Sequence, residues 1–142
     1  ASWFIEYPLI EARLLWWMAY QYNADGFLYY AINRWPVNDK PLDRVPRTDW
    51  DPASYKSANG DGCLFYGGPE GPITGMRFET VRDGLEEYEY LWLLQQRLGE
   101  RQTGEEICGR LIRSLTDYSR DSEGFFQMRR QLAQAILAAR AG

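Results

Sequence analysis

The chain has 142 residues, 45% of them apolar and 25% charged, and its 16 basic and 20 acidic side chains leave a net charge of −4. That composition belongs to a folded globular domain or a piece of one, and it lacks the basic excess that grips a phosphate backbone, so no nucleic-acid partner is expected. With no histidine and only Cys63 and Cys108 as thiols, histidine acid–base chemistry, a His-ligated metal, an all-cysteine zinc site and a disulfide framework drop out, and neither metal nor cofactor is expected.

The chain opens on Ala1-Ser2-Trp3-Phe4-Ile5, without the basic run of a signal peptide or the polar character common at termini, and reads as a start inside a domain. Pro8 suits the first turn of a helix that runs to about Tyr22. Its interior is apolar nearly all round, with Glu11, Arg13 and Gln21 alone breaking the surface, so it is expected to be buried on several sides. The longest apolar stretch, Leu14 to Tyr20, is too short to span a bilayer, and no membrane span is expected.

Asn23-Ala24-Asp25-Gly26 signals a turn. The following run, Phe27 to Asn33, is rich in aromatic and branched residues and is predicted as a strand. It lacks an alternating polar face, so both faces should be covered, as in a parallel sheet. Leu28, Tyr30 and Ile32 then point one way, and Phe27, Tyr29, Ala31, Asn33 and Trp35 the other. Residues 36 to 60 hold four prolines and little periodicity, the marks of a long functional or mobile loop. Gly60-Asp61-Gly62 introduces a second predicted strand, Cys63 to Tyr66, closed by the turn residues Gly67 to Pro72.

The rest is predicted helical. Val81, Leu85, Tyr88 and Trp92 form the stripe of an amphipathic helix from about Gly75 to Leu98. Thr103 and Glu106 fit a capping box, with Ile107, Leu111, Leu115 and Tyr118 behind it. Ser122 caps a last helix whose stripe is Phe126, Leu132, Ala133, Ile136 and Leu137. Two strands alone make no stable sheet, so further strands must pair with them.

Common catalytic and phosphate-binding motifs are absent. Carboxylates are the remaining acid–base groups, but Asp83, Glu86, Glu87 and Glu89 read as a charged helix surface, with Arg82 within reach of Glu79 and Glu86. Glu6 stands at a strand or loop end, and Asp61 reads as a turn residue. The better constellation is Asn33, Trp35 and Trp50. An amide offers a donor and an acceptor to hydroxyls, and an indole offers an apolar platform with one N–H. These are the parts of a sugar subsite; equally, the two tryptophans fit burial under the loop.

Asp25-Gly26-Phe27-Leu28-Tyr29-Tyr30-Ala31-Ile32-Asn33-Arg34-Trp35 resembles the D-G-F-L-Y-W-A-V-N-x-W segment of glycoside hydrolase family 123. Three further segments agree: Tyr7 to Leu15, Gly60 to Tyr66, and Gly71-Pro72-Ile73 through Arg77, Glu79, Arg82-Asp83-Gly84-Leu85-Glu86 and Tyr88 to Leu91. Gly67, Thr74-Gly75 and Glu87 depart from the usual Pro, Pro-Ser and Asp. The resemblance covers roughly residues 4 to 95, a region also catalogued as a bacterial domain of unknown function.

The resemblance implies an α/β fold, the C-terminal part of a (β/α)8 TIM-type barrel with its last two strands and their helices. It assigns residues 1–98 to the barrel and 99–142 to a C-terminal helical extension. The implied activity is on β-linked N-acetylgalactosamine, with the substrate's acetamide as nucleophile. An adjacent Asp-Glu pair orients that acetamide and supplies the general acid. No such pair occurs in this chain, so no catalytic residue is assigned. Asn33, Trp35 and Trp50 are then substrate-binding residues of a hydrolase fragment, inactive alone. The expected partners are carbohydrate and the rest of a parent barrel, with oligomerisation open. The compartment also stays open, the resemblance pointing to a bacterial protein and being compatible with export. The alternatives are a non-catalytic carbohydrate-binding or interaction module and a structural helical domain.

Overall fold

In the computed structural model, residues 1–33 and 59–139 are described. Trp35, Trp50 and most of the proline-rich loop lie outside them. The described elements are helix α1 (Ile10–Gln21), the hairpin β1 (Phe65–Gly68) and β2 (Gly71–Thr74), and helices α2 (Met76–Leu98), α3 (Gln102–Gly109) and α4 (Ser122–Ala138).

Helix α1 opens with tight bonds from Glu11 N to the Pro8 carbonyl (2.9 Å) and Ala12 N to the Leu9 carbonyl (3.1 Å). It closes where Asn23 takes a left-handed φ of 50°, a role asparagine fills because its short polar side chain tolerates that conformation. As the apolar surround predicts, α1 is buried on several sides. Its residues Leu14, Trp17 and Met18 pack with Leu91 and Leu94 of α2, Ile107 and Cys108 of α3, and Phe125, Met128, Leu132 and Ile136 of α4. A smaller cluster gathers Trp3, Ala12, Leu64 and Val81.

Helix α2 has its predicted bounds, ending at Gly99 in the left-handed region (φ 71°). Its buried face differs from the predicted stripe. Val81, Gly84, Glu87, Leu91 and Leu94 face inward, while Leu85 and Trp92 are exposed. The inward row contains a glycine and a glutamate, which hydrophobicity counting discards. Gly84 lets α1 approach: a Cβ there would lie 2.9 Å from Arg13 Cα and 2.3 Å from Trp16 Cδ1.

The C-terminal helices need three corrections. The capping box at Thr103 is not formed; Glu100 accepts instead from Thr103 N (3.1 Å) and Thr103 Oγ1 (2.6 Å). Beyond Gly109 the chain turns, Ser114 Oγ accepting from Asp117 N (2.9 Å), so Leu115 lies exposed. That hydroxyl offers the backbone an alternative to a further helical turn. Asp121, one residue before Ser122, caps α4 by accepting from Glu123 N and Gly124 N. The inward face is Phe125, Met128, Leu132 and Ile136, with Phe126 and Leu137 outside.

The sheet also departs from expectation. Residues predicted as a closing turn form β2, which pairs antiparallel with β1 from Phe65↔Thr74 to Gly68↔Gly71. Pro69 and Glu70 remain as a two-residue loop, the commonest hairpin connection. The Phe27 to Asn33 run is not a strand. It joins the rest through one isolated antiparallel bridge, Asn33↔Cys63, and through the Ile32 carbonyl, which accepts from Leu64 N (2.8 Å) and Phe65 N (3.1 Å). A strand exists only with a ladder partner, and here that partner reaches just its last residues. Leu28 and Tyr30 are 86% and 74% exposed, against the expectation that both faces are covered. Mixed helix and small sheet is compatible with an α/β class.

Candidate functional site

The site builds outward from Trp3. Its ring is buried and meets those of Tyr29 (4.4 Å between centroids) and Phe27 (5.3 Å). Within the aromatic segment only Tyr29 and Ala31 are partly covered, while Phe27, Leu28, Tyr30, Ile32 and Asn33 are exposed, so the alternation expected of a strand holds only in part. Tyr29 ends in a polar contact: its hydroxyl donates to Asp61 Oδ1 (3.0 Å) and accepts from Gly62 N (2.6 Å). Burial above all, with the neighbouring Asp61 adding to it, pushes the Tyr29 phenol up to about 12. Asp61 is a turn residue, as read, sitting between Gly60 and Gly62, both at positive φ.

Arg77, in the first turn of α2, holds the same turn from the other side. Its Nη1 donates to the carbonyls of Trp3 (2.9 Å) and Gly60 (2.7 Å), and its Nη2 to that of Cys63. Five donors in a rigid fork suit a guanidinium to several carbonyls at once. Turn 60–63 is therefore fixed by one tyrosine and one arginine, and its end bridges the backbone of Asn33. Asn33 is exposed, and its amide offers hydroxyls both a donor and an acceptor. Trp35 and Trp50 lie outside the described residues, so Asn33 alone of the three is placed.

Beside this turn lies a cleft of about 330 Å³, bordered by Phe4, Tyr7, Tyr66, Met76 and Arg77. Glu6 is exposed and accepts from Asn59 Nδ2. The charged surface of α2 is present where Arg82 meets Glu79 (2.6 Å) and Glu86 (4.0 Å). Glu87 does not belong to that surface. It is fully buried, and Arg13 donates to both of its oxygens. Trp17 Nε1 (3.1 Å) and Arg129 Nε (3.0 Å) add two more donors. Sequence reasoning missed it, although Arg13 and Trp17, four apart on α1, already offered donors on one helix face.

Among the described residues, no group of three or more cysteines or carboxylates is placed to hold a metal ion, and no helix is long and apolar enough to cross a membrane. The family model described as glycoside hydrolase 123, catalytic domain, matches residues 1–94. No curated protein matches the chain.

Proposed function

The chain belongs to the glycoside hydrolase 123 catalytic-domain family, and from that premise we propose that it forms part of an exo-β-N-acetylgalactosaminidase-like hydrolase. On this reading residues 1–98 supply the last two strand segments of a (β/α)8 barrel, and residues 99–142 follow as a helical extension. Asn33, Trp35 and Trp50 bind the sugar: the amide pairs with a hydroxyl and the indoles form platforms. The acidic pair comes from elsewhere in the parent barrel. The family match over residues 1–94 carries the proposal. The fixed 60–63 turn, which anchors Asn33 at the end of its segment, supports the choice of residue.

The test uses the full-length parent and an aryl N-acetyl-β-galactosaminide. Leaving a buried hydroxyl unpaired costs roughly 1–3 kcal/mol, so Asn33→Ala should lower kcat/KM about 5- to 150-fold. Trp35→Ala should cost at least as much. Wild-type kinetics in both variants, with lower melting temperatures, would make them structural residues. A second reading, a non-catalytic carbohydrate-binding module, is favoured by the lack of adjacent Asp and Glu anywhere in the chain. It requires a parent that binds the sugar without turnover.

A further inference from the structure

Two carboxylates of the family-matched part, Glu11 on α1 and Glu87 on α2, have no exposure to solvent. A charge taken out of water is tolerated only where other groups replace its hydration. Residues 1–94 supply part of that replacement. Glu87 receives Arg13 and Trp17, and Glu11 receives Ser2 N at 3.0 Å. The rest comes from beyond residue 94. Arg129 Nε of α4 reaches Glu87 Oε1 at 3.0 Å. Tyr118 OH donates to Glu11 Oε2 at 3.1 Å, and Arg120 Nε lies 2.6 Å from Glu11 Oε1.

The apolar contacts repeat this division. Trp17 of α1 meets Phe125 of α4 with ring centroids 5.1 Å apart, and the guanidinium of Arg13 lies 5.0 Å from the same Phe125 ring. Arg101 donates to the Tyr20 carbonyl and covers the Tyr20 ring at 4.4 Å. Arg97, just past the matched part, ties the end of α2 to α4 by donating to the Ile136 carbonyl at 2.8 Å.

We propose that residues 101–139 are an intramolecular clamp without which the family-matched part does not hold its fold. The clamp plugs two carboxylate sockets, one on each helix that carries the candidate site. On α1, Trp16 supports Phe27 at 5.2 Å; on α2, Arg77 fixes the 60–63 turn. Closing the sockets from outside the family match sets these helices in one arrangement. The proposal stands on packing and does not depend on which sugar is bound.

The unmodified full chain tests it. All six tryptophans lie in residues 1–94, so their fluorescence reports the matched part. Cys108, buried in α3, reports the clamp through thiol labelling located by peptide mass. Denaturant titration should give coincident midpoints for the two probes. Cys108 becoming reactive at lower denaturant, with tryptophan fluorescence still native, would overturn the clamp.

A variant pair sharpens the reading. Arg129 is 40% exposed on its side chain, so screening limits its share. Arg129→Met should raise the unfolding equilibrium constant about 5- to 30-fold, with both probes shifting together. Arg110→Met, which removes an exposed bond to Gln131, should leave both midpoints in place. An Arg129→Met effect confined to Cys108 would also sink the proposal.

Discussion

Arg77 shows how one side chain places another that it never touches. Its fork gathers the carbonyls of Trp3, Gly60 and Cys63, and the last of these residues bridges Asn33. With Arg77→Met those carbonyls lose the guanidinium, although the Gly60 carbonyl keeps its bond from Cys63 N (3.1 Å), and the loss costs roughly 1–3 kcal/mol for the buried share. Arg77→Lys should recover only part, because an ammonium cannot present the planar fork. Hydrogen exchange gives the local readout: the amides of Leu64 and Phe65, bonded to the Ile32 carbonyl, should exchange faster in Arg77→Met. Unchanged exchange and unchanged denaturant midpoint would show that the turn is held without Arg77, by Tyr29, Asp61 and the bond from Cys63 N to the Gly60 carbonyl. Arg77 stands inside a recognisable sequence motif, yet its role was not legible there. Its acceptors are backbone carbonyls, which every residue has and which leave no mark on residue type.

At the scale of elements, Gly84 and Gly109 predict opposite outcomes for the same substitution. Alanine in a helix gains up to about 1 kcal/mol over glycine. At Gly109 nothing lies within 4 Å of the added Cβ, so Gly109→Ala should stabilise by up to that amount. At Gly84 the added Cβ would press on the backbone of Arg13, 2.9 Å away, which cannot swing aside without moving α1. Overpacking costs roughly 1–3 kcal/mol and outweighs the gain, so Gly84→Ala should destabilise. Thermal melts of the two variants should move in opposite directions. A stabilised Gly84→Ala would mean that the helices separate freely at their crossing. The same crossing explains what the sequence withheld. The bounds of α2 were legible because Gly75 and Gly99 punctuate them. The face was not, because Gly84 and Glu87 are inward for reasons of closeness and charge pairing. Leu85 and Trp92 satisfied the apolar count from the outer side. The strand predicted at Phe27–Asn33 failed differently: local composition fits a strand, but pairing is supplied by a partner that local composition does not describe.

For the whole molecule, the core around α1 ties its stability to alkaline pH. Burial pushes the Cys108 thiol up to about 12 from an ordinary value of 9.0. Burial likewise raises the phenols of Tyr20 and Tyr29 to about 12 from 10.0, with Arg101 partly opposing the rise at Tyr20. Each group keeps its proton more tightly folded than unfolded, so each contributes stability that is complete below its unfolded value and disappears as pH rises through its folded one. The unfolded chain releases its protons first, beginning with the thiols of Cys63 and Cys108 near 9.0 and followed by the phenols near 10.0. The denaturant midpoint should therefore lose stability increasingly between about pH 9 and 12 as these groups ionise in the unfolded chain. Cys108→Ala removes one of the two buried thiols behind the first part of that fall, Cys63, also raised by burial, being the other. It removes a buried sulfur and lowers stability at every pH, but it should also make the thiol-linked decline shallower, leaving the part that Cys63 contributes. If the decline of Cys108→Ala runs parallel to that of the full chain from pH 9.0 upward, the thiol is not held protonated by the core. The packing of α3 against α1 would then be looser than its complete burial of Cys108 indicates.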